Sequence, residues 1–395
     1  MQLIETEKHP IRMWLNKIED GAMEQIKHLA NLPFLFQHVA IMPDSHQGYG
    51  MPIGGVIATK DVIIPNAVGV DIGCGMCAVK TSLTGISKET LKQIMEEIRK
   101  EIPVGFNHHK EDQDIALMPN KTPIYQTEYP VIFQQYHSAI KQLGTLGGGN
   151  HFIEIQRGSD GYIWIMIHSG SRNLGKQVAD FYNQKAIELN KKWFSEIPPE
   201  WELAFLPIDS EEGQKYLKEM QYCIDFALAN RELMMERIKN IFNKICKNPE
   251  EGIYPQFKPT INIAHNYAKL ENHMGHNVWV HRKGATLADK DTIGIIPGSQ
   301  GTKSYIVKGK GNVLSFKSCS HGAGRVMGRN EAIKKLNLKE EIAKLDSQGI
   351  IHGIRNEKDL DEASGAYKDI SEVMKNQEDL VEIITELTPL AVIKG

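Results

Sequence analysis

Between Asp44 and His321 the sequence repeats one pattern: a short apolar run ends in a glycine-rich turn carrying histidine, aspartate, cysteine or asparagine. Met42 leads into Pro43-Asp44-Ser45-His46-Gln47-Gly48-Tyr49-Gly50, and Tyr162 to Ile167 lead into His168-Ser169-Gly170-Ser171-Arg172. Ile261 to Ala264 lead into His265-Asn266, and Gly147-Gly148-Gly149 is followed at once by Asn150, His151, Phe152 and Glu154. Apolar runs of this length between glycines are strand-sized. Chemistry-bearing groups at separate strand ends act together only if the fold gathers those ends. The chain is therefore read as α+β rather than regular βα alternation, one interlocked unit over residues 1–395. No Pro-rich linker, repeat or composition shift divides it.

A length of 395 residues allows two or three domains or one large catalytic unit. With 41% hydrophobic and 24% charged residues, global disorder is excluded. A net charge of −3 excludes a polycation wrapped along nucleic acid, but leaves room for a local basic groove. Five cysteines in so long a chain are not a secreted disulfide framework. The start has no apolar signal core, and no stretch is long enough to span a bilayer. A reduced, cytoplasmic protein with no membrane partner is expected.

The local pattern predicts strands at His38–Met42, Val56–Ala58 and Val62–Ile64, with 43–50 a turn-rich loop and Pro65-Asn66 a break. Ser87 is the expected N-cap of a helix carrying Leu91, Ile94, Met95, Ile98 and Ile102 on one face. Residues 212–247 read as one long amphipathic helix or a broken pair, its methionine-rich stripe being core. Strand and turn character returns over 277–316. Helical patterns are expected near 330–345 and 371–387.

Asp71 and Cys74 share one loop. Metal ligation, a Cys74/Cys77 redox pair and a plain turn are all open readings of it; a zinc ribbon would need a second C-x-x-C, and there is none. Each of His151, His168 and His265, taken singly, is more often a hydrogen-bonded structural residue than a ligand. Taken together, imidazole, carboxylate and thiolate suit a borderline ion such as Mn²⁺, Zn²⁺ or Fe²⁺ better than Mg²⁺ or Ca²⁺ alone. Two ions sharing the thiolate would clamp phosphoryl oxygens. Gly298 to Ser304 resembles a phosphate loop but lacks P-loop spacing. His321 sits among small residues with Arg325 and Arg329 downstream, an environment that suits either an exposed nucleophile or a tight turn. His273 to His276 and His281 to Gly284 are open between a polyanion contact and a solvated turn. His108-His109-Lys110 is expected at the surface.

These segments, with Gly69 to Gly75, Arg282-Lys283-Gly284-Ala285 and the final Val392-Ile393-Lys394-Gly395, occur in an order that resembles the RtcB family of RNA-splicing ligases across nearly the whole chain. Two positions depart from the family pattern: Gly328, where serine is usual, and Ala391, where glycine is common. The resemblance implies a single catalytic domain with a central β-sheet or sandwich core surrounded by helices. It implies a ligase that uses GTP and two Mn²⁺ ions to join RNA 2′,3′-cyclic phosphate or 3′-phosphate ends to 5′-hydroxyl ends. Metal ligation falls on Asp71, Cys74, His151, His168 and His265, and nucleotide attachment on His321. Guanine-nucleotide contacts fall on Asn150, Phe152, Glu154, Gly298, Ser299, Ser304, Ala323, Gly324 and Lys394. RNA or phosphate contacts fall on Arg172, Arg325 and Arg329. A monomer is expected, and the sequence names no activating protein.

Two other classes use parts of the same pattern. A metal-dependent phosphodiesterase would use the same ligands without nucleotide transfer. A non-catalytic RNA-binding module would need stacking platforms, and no RNA-recognition motif of interleaved basic and aromatic residues is present. The ligase reading requires the side chains of residues 74, 151, 168, 265 and 321 to converge.

Overall fold

The apolar runs become strands of two large sheets in a computed structural model that describes residues 1–119, 124–247 and 254–395. The first sheet has six strands, in the order Gln2–Ile4, Ile11–Met13, Leu35–Tyr49, Met51–Thr59, His276–Lys283 and Asn266–His273. The second has seven, in the order Ile261–Ala264, Gly75–Lys80, Ile163–Ser169, Phe152–Gly158, Val381–Lys394, Ser304–Gly309 and Ile293–Ile296. Strands of the two sheets alternate along the chain, so no single cut separates them. Val56, Ala58, Val278 and Val280 of the first share one buried cluster with Ile296, Tyr305, Val307 and Val381 of the second. The architecture is the expected α+β fold.

Side-chain alternation explains what each face of the seven-stranded sheet does. Cys77, Val79, Ile153, Ile155, Ile165 and Ile167 point to one face and pack on helices Lys88–Glu101 and Glu211–Ile245. Met76, Ala78, Phe152 and Met166 point to the other. Glu154 and His168 share the parity of this second face. The redox reading of the C-x-x-C fails for the same reason: Cys77 is sealed in the helix-side core, while Cys74 lies among histidines.

Ser87 caps its helix as expected, accepting from the Thr90 N–H at 3.1 Å. Residues 211–245 form one unbroken helix, and its buried methionines, Met220, Met234 and Met235, lie in the core. The region near 330–345 is two helices, Arg329–Lys335 and Leu338–Ser347, divided where Asn337 caps the second. Two expectations need correction. Residues 43–50 are not a free loop; they continue the strand Leu35–Tyr49, whose pairing with Met51–Thr59 shifts register between Ile41 and His46 and again before Tyr49. The expected helix over 371–387 stops at Lys375, and Val381–Lys394 is a strand. Its β-branched Val381, Ile383, Ile384 and Thr385 fit a pleated surface better than a helix.

Met274 and Gly275, with the exposed His276 beside them, form the solvated turn that is one of the two open readings, whereas His273 and His281 are internal struts. His273 and Arg282 both bind the carboxylate of Glu271, at 2.9 and 2.5 Å, and the Ile64 N–H donates to His281 Nε2 at 3.1 Å. His108 and Lys110 are exposed, as expected, but His109 is half-buried, its Nε2 2.9 Å from Arg237 Nη1. Gly328 precedes its helix, lines the cavity described below and has open space where a side chain would stand, whereas Ala391 is buried at a register shift.

Candidate active site

Strand register assembles the site. Lys394 pairs with Phe152, Phe152 with His168, and His168 with Met76, so three of the candidate residues lie on one rung of the sheet. Cys74 ends the loop that enters Gly75–Lys80, and His265 leaves Ile261–Ala264 directly opposite. The His265 N–H donates to the Cys74 carbonyl at 2.8 Å. Asn266 fixes the arrangement: its Nδ2 donates to the Asp71 carbonyl at 3.0 Å, its carbonyl accepts from Gly73 N–H at 2.8 Å, and its Oδ1 accepts from Gly284 N–H at 2.7 Å. One side chain thus ties the Asp71–Cys74 loop to the turn that packs against His321.

Within this frame Cys74 Sγ lies 3.5 Å from His151 Nε2 and 3.3 Å from His168 Nε2. His168 Nε2 lies 3.4 Å from His265 Nε2, and His151 Nε2 lies 3.1 Å from Asp71 Oδ2. The donors form two triads, Cys74/His168/His265 and Asp71/Cys74/His151, that share the sulfur. Each triad offers imidazole, carboxylate or thiolate donors close enough to hold a cation, and the residues present fit a metal centre. His168 Nδ1 donates to the Asn150 carbonyl at 3.0 Å, which leaves Nε2 as the free lone pair. Burial, reinforced by neighbouring histidines, holds His168 and His265 far below the usual imidazole range. Both are therefore neutral, as ligands must be. Burial lifts the Cys74 thiol and Asp71 lifts it further, an arrangement that a bound cation reverses.

His321 stands beside these ligands, its ring 4.8 Å from that of His265 and at 67° to it. Its Nδ1–H donates to Asp44 Oδ2 at 2.7 Å, and the same oxygen accepts the backbone N–H groups of His321 at 3.1 Å and Gly322 at 3.2 Å. Burial would raise the Asp44 carboxyl, but its hydrogen-bonded contact with His321 outweighs this and holds it below the ordinary range. An ionised, buried Asp44 fixes the ring so that Nε2 keeps its lone pair.

These groups line one cavity of about 980 Å³. All five candidate metal ligands, His321, Arg325 and Arg329 line it, with Asn150, Phe152, Glu154, Gly298, Ser299, Ala323, Gly324 and Lys394. Burial pushes Glu154 up to about 8, against the pull of Gln156 and Lys394. Lys394 Nζ sits 5.6 Å from the Phe152 ring centre. Arg325 and Arg329 are anchored to opposite oxygens of one buried carboxylate, Glu362, at 3.0 and 2.8 Å. Two candidates stand behind the wall. Ser304 Oγ accepts from Gly298 N–H at 3.1 Å and so holds the 298 loop. Arg172 supports His151 from the rear, Nη1 lying 3.3 Å from His151 Nδ1. Its guanidinium rests on Gly147, where a Cβ would come within 2.2 Å of it and where φ is +93°.

Sequence reasoning did not single out Asp44, Glu362 or Asn266. Asp44 carried one usable signal, a carboxylate directly after an apolar run. Glu362 sits in an acidic stretch, Asp359-Leu360-Asp361-Glu362, where nothing distinguishes it from its neighbours.

The chain matches the family described as tRNA-splicing ligase RtcB over residues 25–135 and 127–395. It belongs to the RtcB family. RNA-splicing ligase RtcB of Escherichia coli (strain K12) is 38% identical over 409 residues, covering 100% of this chain and 99% of that protein. The tRNA-splicing ligase RtcB of Nanoarchaeum equitans is 34% identical and that of Thermococcus kodakarensis 30%, each covering 95% of this chain and 92% of the relative. RtcB membership makes RNA ligation the class of reaction to weigh against this cavity. Among the described residues, no helix of this RtcB family member is long and apolar enough to cross a membrane.

Proposed function

We propose that the protein joins RNA 3′-phosphate ends, or 2′,3′-cyclic phosphate ends once opened by water, to 5′-hydroxyl ends, using GTP and a histidine-linked nucleotide. The observation that carries this reading is the Asp44–His321 pair at 2.7 Å, set against the histidine–cysteine cluster in one cavity. An imidazole whose Nδ1–H is held by a buried carboxylate presents Nε2 as a nucleophile.

In the first step His321 Nε2 attacks the α-phosphorus of GTP; the N–P bond forms, the bond to the bridging oxygen breaks, and pyrophosphate leaves. A 3′-phosphate oxygen of RNA then attacks the same phosphorus, and the N–P bond breaks. The 5′-hydroxyl finally attacks the RNA phosphorus, loses its proton, and expels GMP. Asp71, Cys74, His151, His168 and His265 would hold two divalent ions, Mn²⁺ being the one expected, which when bound supply positive charge to phosphoryl oxygens. Glu154, ionised, would accept from guanine N–H groups. Lys394, Arg325 and Arg329 would face the phosphates. The work is cytoplasmic, and the protein acts as a monomer.

The test is incubation with α-labelled GTP and Mn²⁺, followed by a search for an acid-labile protein adduct and by analysis of the RNA product. Joined RNA supports the ligase. Accumulation of 3′-phosphate ends without joining or adduct would mean a phosphodiesterase.

A further inference from the structure

Tyr49 stands at the mouth of the cavity with 68% of its surface exposed. An exposed ring on a loose loop would mean little. Here the backbone is fixed from three directions. Gly48 exchanges two hydrogen bonds with the Gln25 side chain, donating to Oε1 at 3.1 Å and accepting from Nε2 at 2.7 Å. The Tyr49 carbonyl accepts from Lys283 Nζ at 2.6 Å. The Gly50 N–H donates to Glu202 Oε2 at 2.9 Å. Only glycine fits at position 50, because φ is +65° and a Cβ would lie 2.5 Å from the Glu202 carbonyl. The Lys283 that holds Tyr49 is itself buried and also donates to the Asn66 carbonyl at 2.9 Å. The ring is thus displayed to solvent by a pinned backbone.

Two other exposed residues of the lining, Val70 and Val326, are apolar. The Lys283 stem packs against Gly69, and the next residue, Val70, is 47% exposed beside Asp71. Val326, next to Arg325, also lines the cavity and is 56% exposed. The exposed lining is mixed, with Tyr49, Val70 and Val326 beside Glu19, Gln47, Arg329 and Glu331, while the buried lining carries His151, His168 and His265 and the half-buried lining Lys394. An RNA end with its phosphate among these histidines and Lys394 would bring its flat base to the exposed part of the lining, where Tyr49 is the aromatic face.

We propose that Tyr49 is the platform on which a nucleobase at the broken RNA end stacks, positioning that end over the cavity. The inference rests on the RNA-ligase reading above. Pre-organisation is what makes such a platform effective, since no loop has to be ordered when the base arrives.

The experiment uses the full chain with one 3′-phosphorylated and one 5′-hydroxyl oligoribonucleotide. Fluorescence anisotropy gives the Kd of each, and ligation gives KM and kcat. Tyr49→Ala should weaken the stacked strand about 5- to 150-fold, the range for losing one base–aromatic stack. Tyr49→Trp and Tyr49→Phe should stay within about threefold of wild type, since both keep an aromatic face. Labelling of the protein by GTP, which needs no RNA, should be unchanged in Tyr49→Ala. An abasic terminal nucleotide should abolish the Tyr49→Ala penalty on the stacked strand alone, which identifies the 3′ or the 5′ strand. Phe194→Ala, at a residue 91% exposed outside the cavity lining, is the control expected to change nothing. Wild-type Kd and KM in Tyr49→Ala, equal impairment of Tyr49→Phe, or penalties that add to the abasic change on both strands would each overturn the proposal. Binding separates the two claims. Wild type that joins RNA while Tyr49→Ala is unaffected overturns stacking only. Wild type that binds but does not join, with Tyr49→Ala weakened, overturns ligation only. Wild type that neither binds nor joins overturns both.

Discussion

Asp44 and His321 lie 277 residues apart in the chain and meet at 2.7 Å, one carboxylate oxygen accepting the ring Nδ1–H and two backbone N–H groups. The contact is possible because the strand Leu35–Tyr49 shifts register after Ile41, which carries Asp44 under the His321 turn. Asp44→Asn keeps the shape and removes the charge that selects the tautomer. Nucleotide attachment to the protein should fall about 100-fold or more, by analogy with other carboxylate–histidine pairs. Bound metal, measured by elemental analysis, should not change.

Cys74 is the sulfur common to both donor triads. Cys74→Ala should reduce Mn²⁺ bound after dialysis from about two ions per chain to one or fewer, since a shared thiolate serves both ions. Cys77→Ala should leave metal content intact and cost stability through the cavity it creates in the helix-side core. Equal metal loss in both variants would restore the C-x-x-C as a unit.

Glu154 is held at about 8 by burial. Its proton is bound more tightly in the folded state than in the unfolded one, so ligand-free stability falls as pH rises from the ordinary carboxylate range to about 8. Glu154→Gln removes that loss, and its melting temperature should gain on wild type at pH 8.5 relative to pH 5.5. GTP binding should behave oppositely. If the ionised carboxylate accepts from guanine, wild-type affinity rises through pH 8, and Glu154→Gln is weaker and flat. Isothermal titration at several pH values checks both.

Much of this site was legible because its candidate ligands stand out in the sequence. His168 and His265 each close an apolar run, and Asp71 and Cys74 share a glycine loop. Which face each residue takes was not legible, since it depends on register. Nothing local says that Phe152 pairs with both His168 and Lys394, or that Cys77 turns away from Cys74. The C-terminal error has a similar cause. Acidic residues near 378–386 mimic a solvated helix, but Val381–Lys394 is an interior strand whose edges are already paired on both sides.

Glu362 holds Arg325 and Arg329 on its two oxygens and accepts the Tyr367 hydroxyl. Burial would raise this carboxyl, and Lys394 with the arginines holds it low. Glu362→Gln should destabilise the protein by about 2 kcal/mol, below the range for a fully buried pair because Arg329 is half exposed. RNA joining should fall with it, while metal content stays constant. Thermal unfolding and ligation assays read the two effects separately.

The central claim is that His321 carries the nucleotide. Wild-type protein incubated with α-labelled GTP and Mn²⁺ should yield an adduct that is labile in acid and stable in alkali, and His321→Ala should yield none while still binding metal. Labelling of His321→Ala at the wild-type level would contradict the account.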